Sequence, residues 1–159
     1  MKVGNEKIII IKSANILDLS RIAYLTKIAY RSPYKKNAAV TKPHEAEDIV
    51  QNFLSKKIKI LVASLNGKIV GAIKCEVRDK HNLYLYQLAV LKTFRCLGVG
   101  KALIERAELS AKKQGCIKVL LDCSKEKHLD EYYKKLGYNI YNIIKHEKYT
   151  AIHMFKKIK

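Results

Sequence analysis

The chain has 159 residues and a mass of 18.2 kDa, which suits one domain, 1–159, with no room for a second of ordinary size. Apolar residues make up 48% and charged residues 29%, ordinary globular usage, and a chain of this length buries roughly 68–70% of its unfolded surface without covalent staples. Lys and Arg number 32 against 14 Asp and Glu, a formal charge of +18, which excludes an acidic tail; the excess fits an anionic partner (phosphorylated cofactor, nucleic acid or acidic lipid) or a lysine-rich codon bias.

Lys7–Lys12 carries four isoleucines in a row and reads as a first strand. Asn15 with Asp18 three residues on resembles a capping box, and Leu19, Ile22, Leu25 and Ala29 follow at helical spacing until Ser32–Pro33. Tyr34–Lys42 is a polar, basic loop. Thr41–Pro43 with Glu45, Glu47 and Asp48 starts a second helix, whose buried face is Ala46, Ile49, Phe53 and Leu54. The period then changes. Ile58–Leu65 and Lys68–Val77 are strands joined by Asn66–Gly67, a hairpin signal because both turn positions need positive φ. Asp79–Asn82 is a turn, and Leu83–Leu91 is an apolar strand. Lys92–Gly100 is a basic connection into a helix marked by Ala102, Leu103, Ala107 and Ala111, with Gly115 past its end. Ile117–Cys123 is a short strand. Leu129, Tyr132, Tyr133 and Leu136 mark a helix stopped by Gly137. Tyr138–Ile144 and Tyr149–Phe155 pair as a last hairpin. The order β-α-α-β-β-β-α-β-α-β-β predicts a mixed α/β layer structure.

The apolar run Ile8–Ile11 is too short for a secretory signal, and a membrane span needs ~20 apolar residues, so a soluble cytoplasmic protein is expected. Cys75, Cys96, Cys116 and Cys123 form no C-x-x-C pair, and His44, His81, His128, His146 and His153 form no H-E-x-x-H. Reduced, mostly buried thiols and no metal site are expected.

Residues 83–104 read LYLYQLAVLKTFRCLGVGKALI. A strand ends, Arg95-Cys96-Leu97-Gly98-Val99-Gly100 follows, and a helix begins. Glycines let the backbone approach a ligand, and the first amides of a helix lack internal partners and lie at the positive end of its dipole. Arg95 and Lys101 add charge. Such a loop can cradle a phosphate or diphosphate. Neither the Walker A pattern nor the full dinucleotide fingerprint is present. On its own, G-x-G is equally a tight strand-to-helix turn.

The R-x-x-G-x-G run after a strand ending L-A-V resembles the acetyl-coenzyme A signature of the GNAT superfamily of N-acetyltransferases. Tyr132-Tyr133-Lys134-Lys135-Leu136-Gly137-Tyr138 is similar to that family's second landmark, F-Y-x-x-x-G-F/Y. The resemblance covers nearly the whole chain. It implies a single mixed, mostly antiparallel sheet flanked by about four helices, and acetyl-coenzyme A as acyl donor. It assigns the pantetheine arm to Leu88, Ala89 and Val90, and the diphosphate to Arg95, Cys96, Leu97, Gly98, Val99, Gly100 and Lys101. It assigns Tyr133 the role of general acid towards the departing thiolate, and Val90 N–H that of nearest oxyanion donor. The glutamate that many members carry on the cofactor strand is absent: Tyr84, Tyr86 and Gln87 stand there. Glu76 and Asp122 are the nearest carboxylates, and neither is assigned as base. The asparagine that many members carry before the tyrosine is also absent, with Glu126 and Leu129 in that stretch.

The resemblance places acceptor choice in Tyr30–Lys42, Asp79–Asn82 and Ile143–Tyr149. Arg31, Lys35, Lys36, Lys42, Lys80 and Lys145 lie in these loops and would suit an acidic or phosphorylated amine on a small molecule or peptide. Homodimers are frequent in the family. The competing readings are a basic RNA- or ribosome-associated module and a coenzyme A binder of the same fold without turnover.

Overall fold

In the computed structural model, which describes residues 7–30 and 46–158, the strands are β1 (Ile9–Ser13), β2 (Ile58–Leu65), β3 (Lys68–Val77), β4 (Asn82–Val90), β5 (Lys118–Ser124), β6 (Asn139–Lys145) and β7 (Thr150–Lys157). They form one sheet in the order β1-β2-β3-β4-β5-β7-β6. All described pairings are antiparallel except β4 with β5. The β2–β3 hairpin has its predicted bounds, with Asn66 at φ 51° and Gly67 at φ 75°. The last hairpin forms as expected, but its second strand, β7, lies against β5 and leaves β6 at the edge.

The helices are α1 (Leu19–Ala29), α2 (Ala46–Leu54), α3 (Val99–Lys113) and α4 (Leu129–Lys135). The capping box is real. The Leu17 N–H donates to Asn15 Oδ1, and the Asn15 N–H donates to Asp18 Oδ2, each at 2.9 Å. A short 3₁₀ turn, Ile16–Asp18, precedes α1. The predicted loop Tyr34–Lys42, the Ser32–Pro33 stop and the Thr41–Pro43 start lie outside the described residues.

Two apolar clusters sandwich the strands. Leu19, Ile22 and Ile49 of α1 and α2 pack on Ile60, Val62 and Ala72. On the other face Leu103, Ile104, Ala107 and Ala111 of α3, with Tyr133 of α4, pack on Leu61, Ile73, Leu85, Leu121 and Met154. The apolar spacing read from α1 and α3 is the spacing that dives into these clusters. Gly71 is what lets α3 approach β3. A Cβ there would meet Val99 Cγ1 at 2.9 Å, Leu103 Cδ1 at 3.2 Å and the Ala89 carbonyl at 3.3 Å. Gly71→Ala is expected to destabilise by about 1–3 kcal/mol through overpacking. Urea unfolding checks this, and an unchanged midpoint would refute the close approach.

Lys74 breaks the apolar pattern. It is 2% exposed, points to the α1–α2 face, and its Nζ has no hydrogen-bond partner among the described residues. Burial pushes its pKa down to about 8, and the Asp48 carboxylate opposes part of that shift. The unfolded chain therefore binds more protons than the folded one between about pH 8 and 10.5, and stability contributed by this site rises with pH through that window. Lys74→Met is expected to be more stable than the parent at pH 7 by up to about 3 kcal/mol. Urea curves at pH 7 and pH 10 should show the gap closing at the higher value; a gap independent of pH would contradict the burial of a charge.

Candidate active site

β4 carries an irregularity where the chemistry is expected. Ala72 pairs with Ala89 and Lys74 with Tyr86, so two steps along β3 match three along β4. The extra residue is a β-bulge at Gln87, which sits at φ 52°, a conformation few non-glycine residues adopt. The parallel β4–β5 pairing ends at Tyr84 with Leu120. Past that point the two strands part, and a cavity of about 380 Å³ opens between them, lined among others by Tyr30, Tyr86, Gln87, Asp122, Tyr133 and His153.

The bulge decides which main-chain groups face the opening. Leu91 N–H donates to the Val70 carbonyl at 3.0 Å, so by alternation Ala89, opposite Ala72, also turns its main chain to β3. Leu88 and Val90 turn theirs the other way. The Leu88 carbonyl accepts from the Tyr30 hydroxyl at 3.0 Å, and the Val90 carbonyl accepts from Arg95 Nε at 3.1 Å. Of the three residues expected to line the cofactor arm, Leu88 lines the cavity, Val90 turns its main chain away from β3 as Leu88 does, and Ala89, 1% exposed, is held in the sheet.

The loop after β4 behaves as its glycines predict. Gly98, in the left-handed region at φ 82°, precedes α3, whose first turn has no side-chain cap. The first helical bond runs from Ala102 N–H to the Gly98 carbonyl at 2.9 Å. The amides of Val99, Gly100 and Lys101 therefore emerge from the helix end without an internal partner. Cys96 also lies at positive φ, 60°, so the chain turns twice through the left-handed region before the helix starts. These amides and the absent Cβ at Gly100 fit a diphosphate. Arg95 engages β4 through Nε alone, leaving its other guanidinium N–H groups at the surface, and Lys101 Nζ lies 3.7 Å from Glu105. The loop amides are the donors fixed by the backbone.

Tyr133, from α4, is buried beneath the opening and lines it. Burial pushes its phenol far above the usual tyrosine range, and Tyr30, Cys123, Tyr132 and Asp122 reinforce the shift. It therefore stays a neutral donor. The Tyr132 ring stands edge-on to that of Tyr133, centroids 5.2 Å apart, and its hydroxyl reaches the first turn of α3. A Cβ on Gly100 would lie 2.8 Å from its hydroxyl and 3.6 Å from Leu88 Cδ2, so that hydroxyl stands between the loop and β4.

Glu76, one of the two carboxylates nearest the cofactor strand, is held by Arg78 Nε at 2.9 Å. Asp122 lines the cavity and makes no hydrogen bond or ion pair with the described residues. Gln87 Oε1 is buried without a partner among them. Glu126, in the stretch where the family's asparagine is missing, accepts from Ser124 Oγ at 2.7 Å and from Thr150 N–H at 2.9 Å, a structural tie between β5 and β7. All four cysteines are free, and Cys96 alone of them is exposed. No cluster of metal-ligating side chains occurs among the described residues. None of their helices is long and apolar enough to cross a membrane.

Sequence reading placed Tyr30 only at the start of an acceptor loop and gave no role to Tyr132 or His153. Tyr30 lies one residue beyond the last periodic position of α1, and 58 residues separate it from Leu88. Tyr132 was visible only as half of a motif. His153 faces Asp122 across the β5–β7 ladder, a pairing set by strand order.

Residues 22–138 match the model of the acetyltransferase (GNAT) family. Among solved structures, the ribosomal-protein-S18-alanine N-acetyltransferase from Escherichia coli is similar at TM-score 0.79 and 20% identity, covering 95% of this chain and 94% of that one. An aminoglycoside 6'-N-acetyltransferase complexed with coenzyme A is similar at TM-score 0.76 and 18% identity, covering 93% and 96%. The aminoglycoside 6'-N-acetyltransferase from Enterococcus faecium is similar at TM-score 0.75 and 18% identity, with coverage of 93% and 96%.

Proposed function

Because this chain belongs to the GNAT acetyltransferase family, we propose that it transfers an acetyl group from acetyl-coenzyme A directly to a primary amine carried by a small molecule or a peptide. The observation that carries this reading is the junction of two sets of main-chain groups outside the helix and sheet bonding. One is the unpaired amides at the start of α3; the other is Leu88 and Val90, whose carbonyls are turned away from β3 and held only by the Tyr30 and Arg95 side chains. The relatives' printed acceptors, an aminoglycoside and a ribosomal-protein alanine, are both amines.

Amides 96–101 would hold the diphosphate. Leu88 and Val90 would take the pantetheine arm once Tyr30 and Arg95 release their carbonyls, with Ala89 keeping the strand in the sheet. The bound donor would supply an acetyl thioester. The Val90 N–H, turned away from β3, would be the nearest donor to its carbonyl oxygen as that oxygen gains charge. The amine attacks uncharged and loses its surplus protons to solvent water; Tyr133 gives the departing thiolate its proton and regains one from solvent. Its neutrality gives the proton availability, and its burial keeps bulk water from competing. The direct route needs no covalent enzyme intermediate, consistent with Cys123, the cavity's one cysteine among the described residues, being pushed by burial up to about 11.

Calorimetric titration with coenzyme A, followed by thiol release with a panel of amines, tests the reading. Binding with amine-dependent release supports it. Absence of heat with coenzyme A alongside salt-sensitive binding of RNA would replace it with a basic binding module. Tight binding without release on any amine would indicate a carrier without turnover.

A further inference from the structure

On the sheet face that α1 and α2 cover at its β2–β3 end, the strands β4, β5, β6 and β7 carry a row of aromatic side chains. Tyr84 and Tyr86 are two apart on β4 and share a face. On the same face Tyr141 stands edge-on to His153, ring centroids 5.9 Å apart, and to Phe155 at 6.0 Å. One end of this row already holds a cation. Arg78 lies 4.0 Å above the centre of the Tyr84 ring, and its Nε is 2.9 Å from Glu76 on the adjoining strand. A positive group is thus gripped between one ring and one carboxylate.

The same pair recurs two residues along without a protein cation. Leu120 pairs with Tyr84 and the strands part beyond that pair, so Asp122 on β5 and Tyr86 on β4 stand on one face across the gap from each other. Both line the cavity, in which Asp122 is the one carboxylate among the described residues. It bonds to none of them, in a chain bearing 32 Lys and Arg. Tyr141 senses it: burial, then the neighbouring Tyr84 and Asp122, raise the Tyr141 phenol. Lys127, the one Lys or Arg lining the cavity among the described residues, sits at the other rim, its Nζ 5.5 Å from the Tyr30 ring.

Resting on the transferase reading above, we infer that Asp122 and the Tyr86 ring form the acceptor's ammonium site, and that the substrate is an alkylammonium, such as an aliphatic diamine, rather than an acidic or phosphorylated amine. The reacting amine arrives protonated, as aliphatic amines are at neutral pH. Asp122 offers the charge partner that Glu76 offers Arg78, and Tyr86 the ring that Tyr84 offers it. A distal anionic group on the acceptor would meet that carboxylate and aromatic faces instead of a cation. An acidic acceptor was expected from Lys80 and Lys145 as well as from the basic segment 31–42; the segment lies outside the described residues, and neither Lys80 nor Lys145 lines the cavity.

The test uses the full chain loaded with coenzyme A and two probes of matched length, 1,6-diaminohexane and 6-aminohexanoate, titrated calorimetrically. The diamine should bind at least about 10-fold more tightly, and Asp122→Asn should weaken it by about 10–100-fold, the worth of a charged hydrogen bond. Tyr86→Leu should weaken it by a smaller factor, about 3–10-fold. Coenzyme A affinity, measured on each variant, reports that the fold and the donor site are intact. Equal binding of the two probes, preference for 6-aminohexanoate, or a diamine affinity indifferent to Asp122→Asn overturns the inference even though coenzyme A binds. Failure of coenzyme A to bind the parent chain would instead strike the transferase reading.

Discussion

Gly100→Glu is expected to leave the protein folded and to abolish coenzyme A binding, raising Kd by at least about 100-fold. Two effects of one substitution separate here. Gly100 occupies the second position of α3, where a carboxylate is favourable to the helix dipole by roughly 0.3–1 kcal/mol and where any side chain improves on glycine's propensity. The new Cβ would meet the Tyr132 hydroxyl at 2.8 Å, but that is the far end of a side chain able to swing aside. Stability should therefore hold. The carboxylate, however, would satisfy the amides meant for the diphosphate and repel it. Thermal melts with and without coenzyme A check both halves: the parent melting point should rise with ligand, and the variant's should not. A variant that still shows the parent's ligand-induced rise would remove the amides of α3 from the cofactor site.

Tyr133→Phe is expected to lower kcat by about 10²–10⁴-fold while changing coenzyme A affinity little, because a positioned proton donor contributes in that range. The phenol forms no hydrogen bond with the described residues, so its removal should cost little stability. The pH dependence follows from the direction of its shift. Burial, with Tyr30, Cys123, Tyr132 and Asp122 as lesser causes, raises the folded pKa, so the proton is retained above the normal tyrosine value of ~10. Deprotonation of Tyr133 should thus add no falling limb to the parent's rate below about pH 10. Stopped-time thiol release across pH 6–10 measures this. A parent rate that falls on the alkaline side, with the same fall lost in Tyr133→Phe, would mean the phenol titrates normally and is not buried in the working enzyme.

What was legible in the chain is what local physics dictates. Asn66–Gly67 set the β2–β3 hairpin because adjacent positive-φ positions leave the chain one way to turn. Asn15 and Asp18 closed the start of the first helix because both bonds lie within three residues. The glycines at 98 and 100 and the helix that follows them were legible because unpaired amides belong to any helix start. Tyr133 stood out only because its spacing from Gly137 resembles a family motif.

Tertiary structure decided the rest. Only the sheet order sets β7 between β5 and β6, bringing His153 opposite Asp122. Only the parting of β4 and β5 beyond Tyr84 makes a cavity of two strands that composition treats as equally apolar. The bulge at Gln87 turns Leu88 and Val90 away from β3 and leaves Ala89 in the ladder, so three residues read alike in sequence take different parts. Tyr30 and Tyr132 reach Leu88 and Gly100 from helices far away along the chain. The physical reason is the same throughout. Turns, caps and helix ends depend on neighbours within one or two turns of chain, whereas a strand's partner and the side chains that fill a gap depend on which distant surfaces bury the most apolar area together.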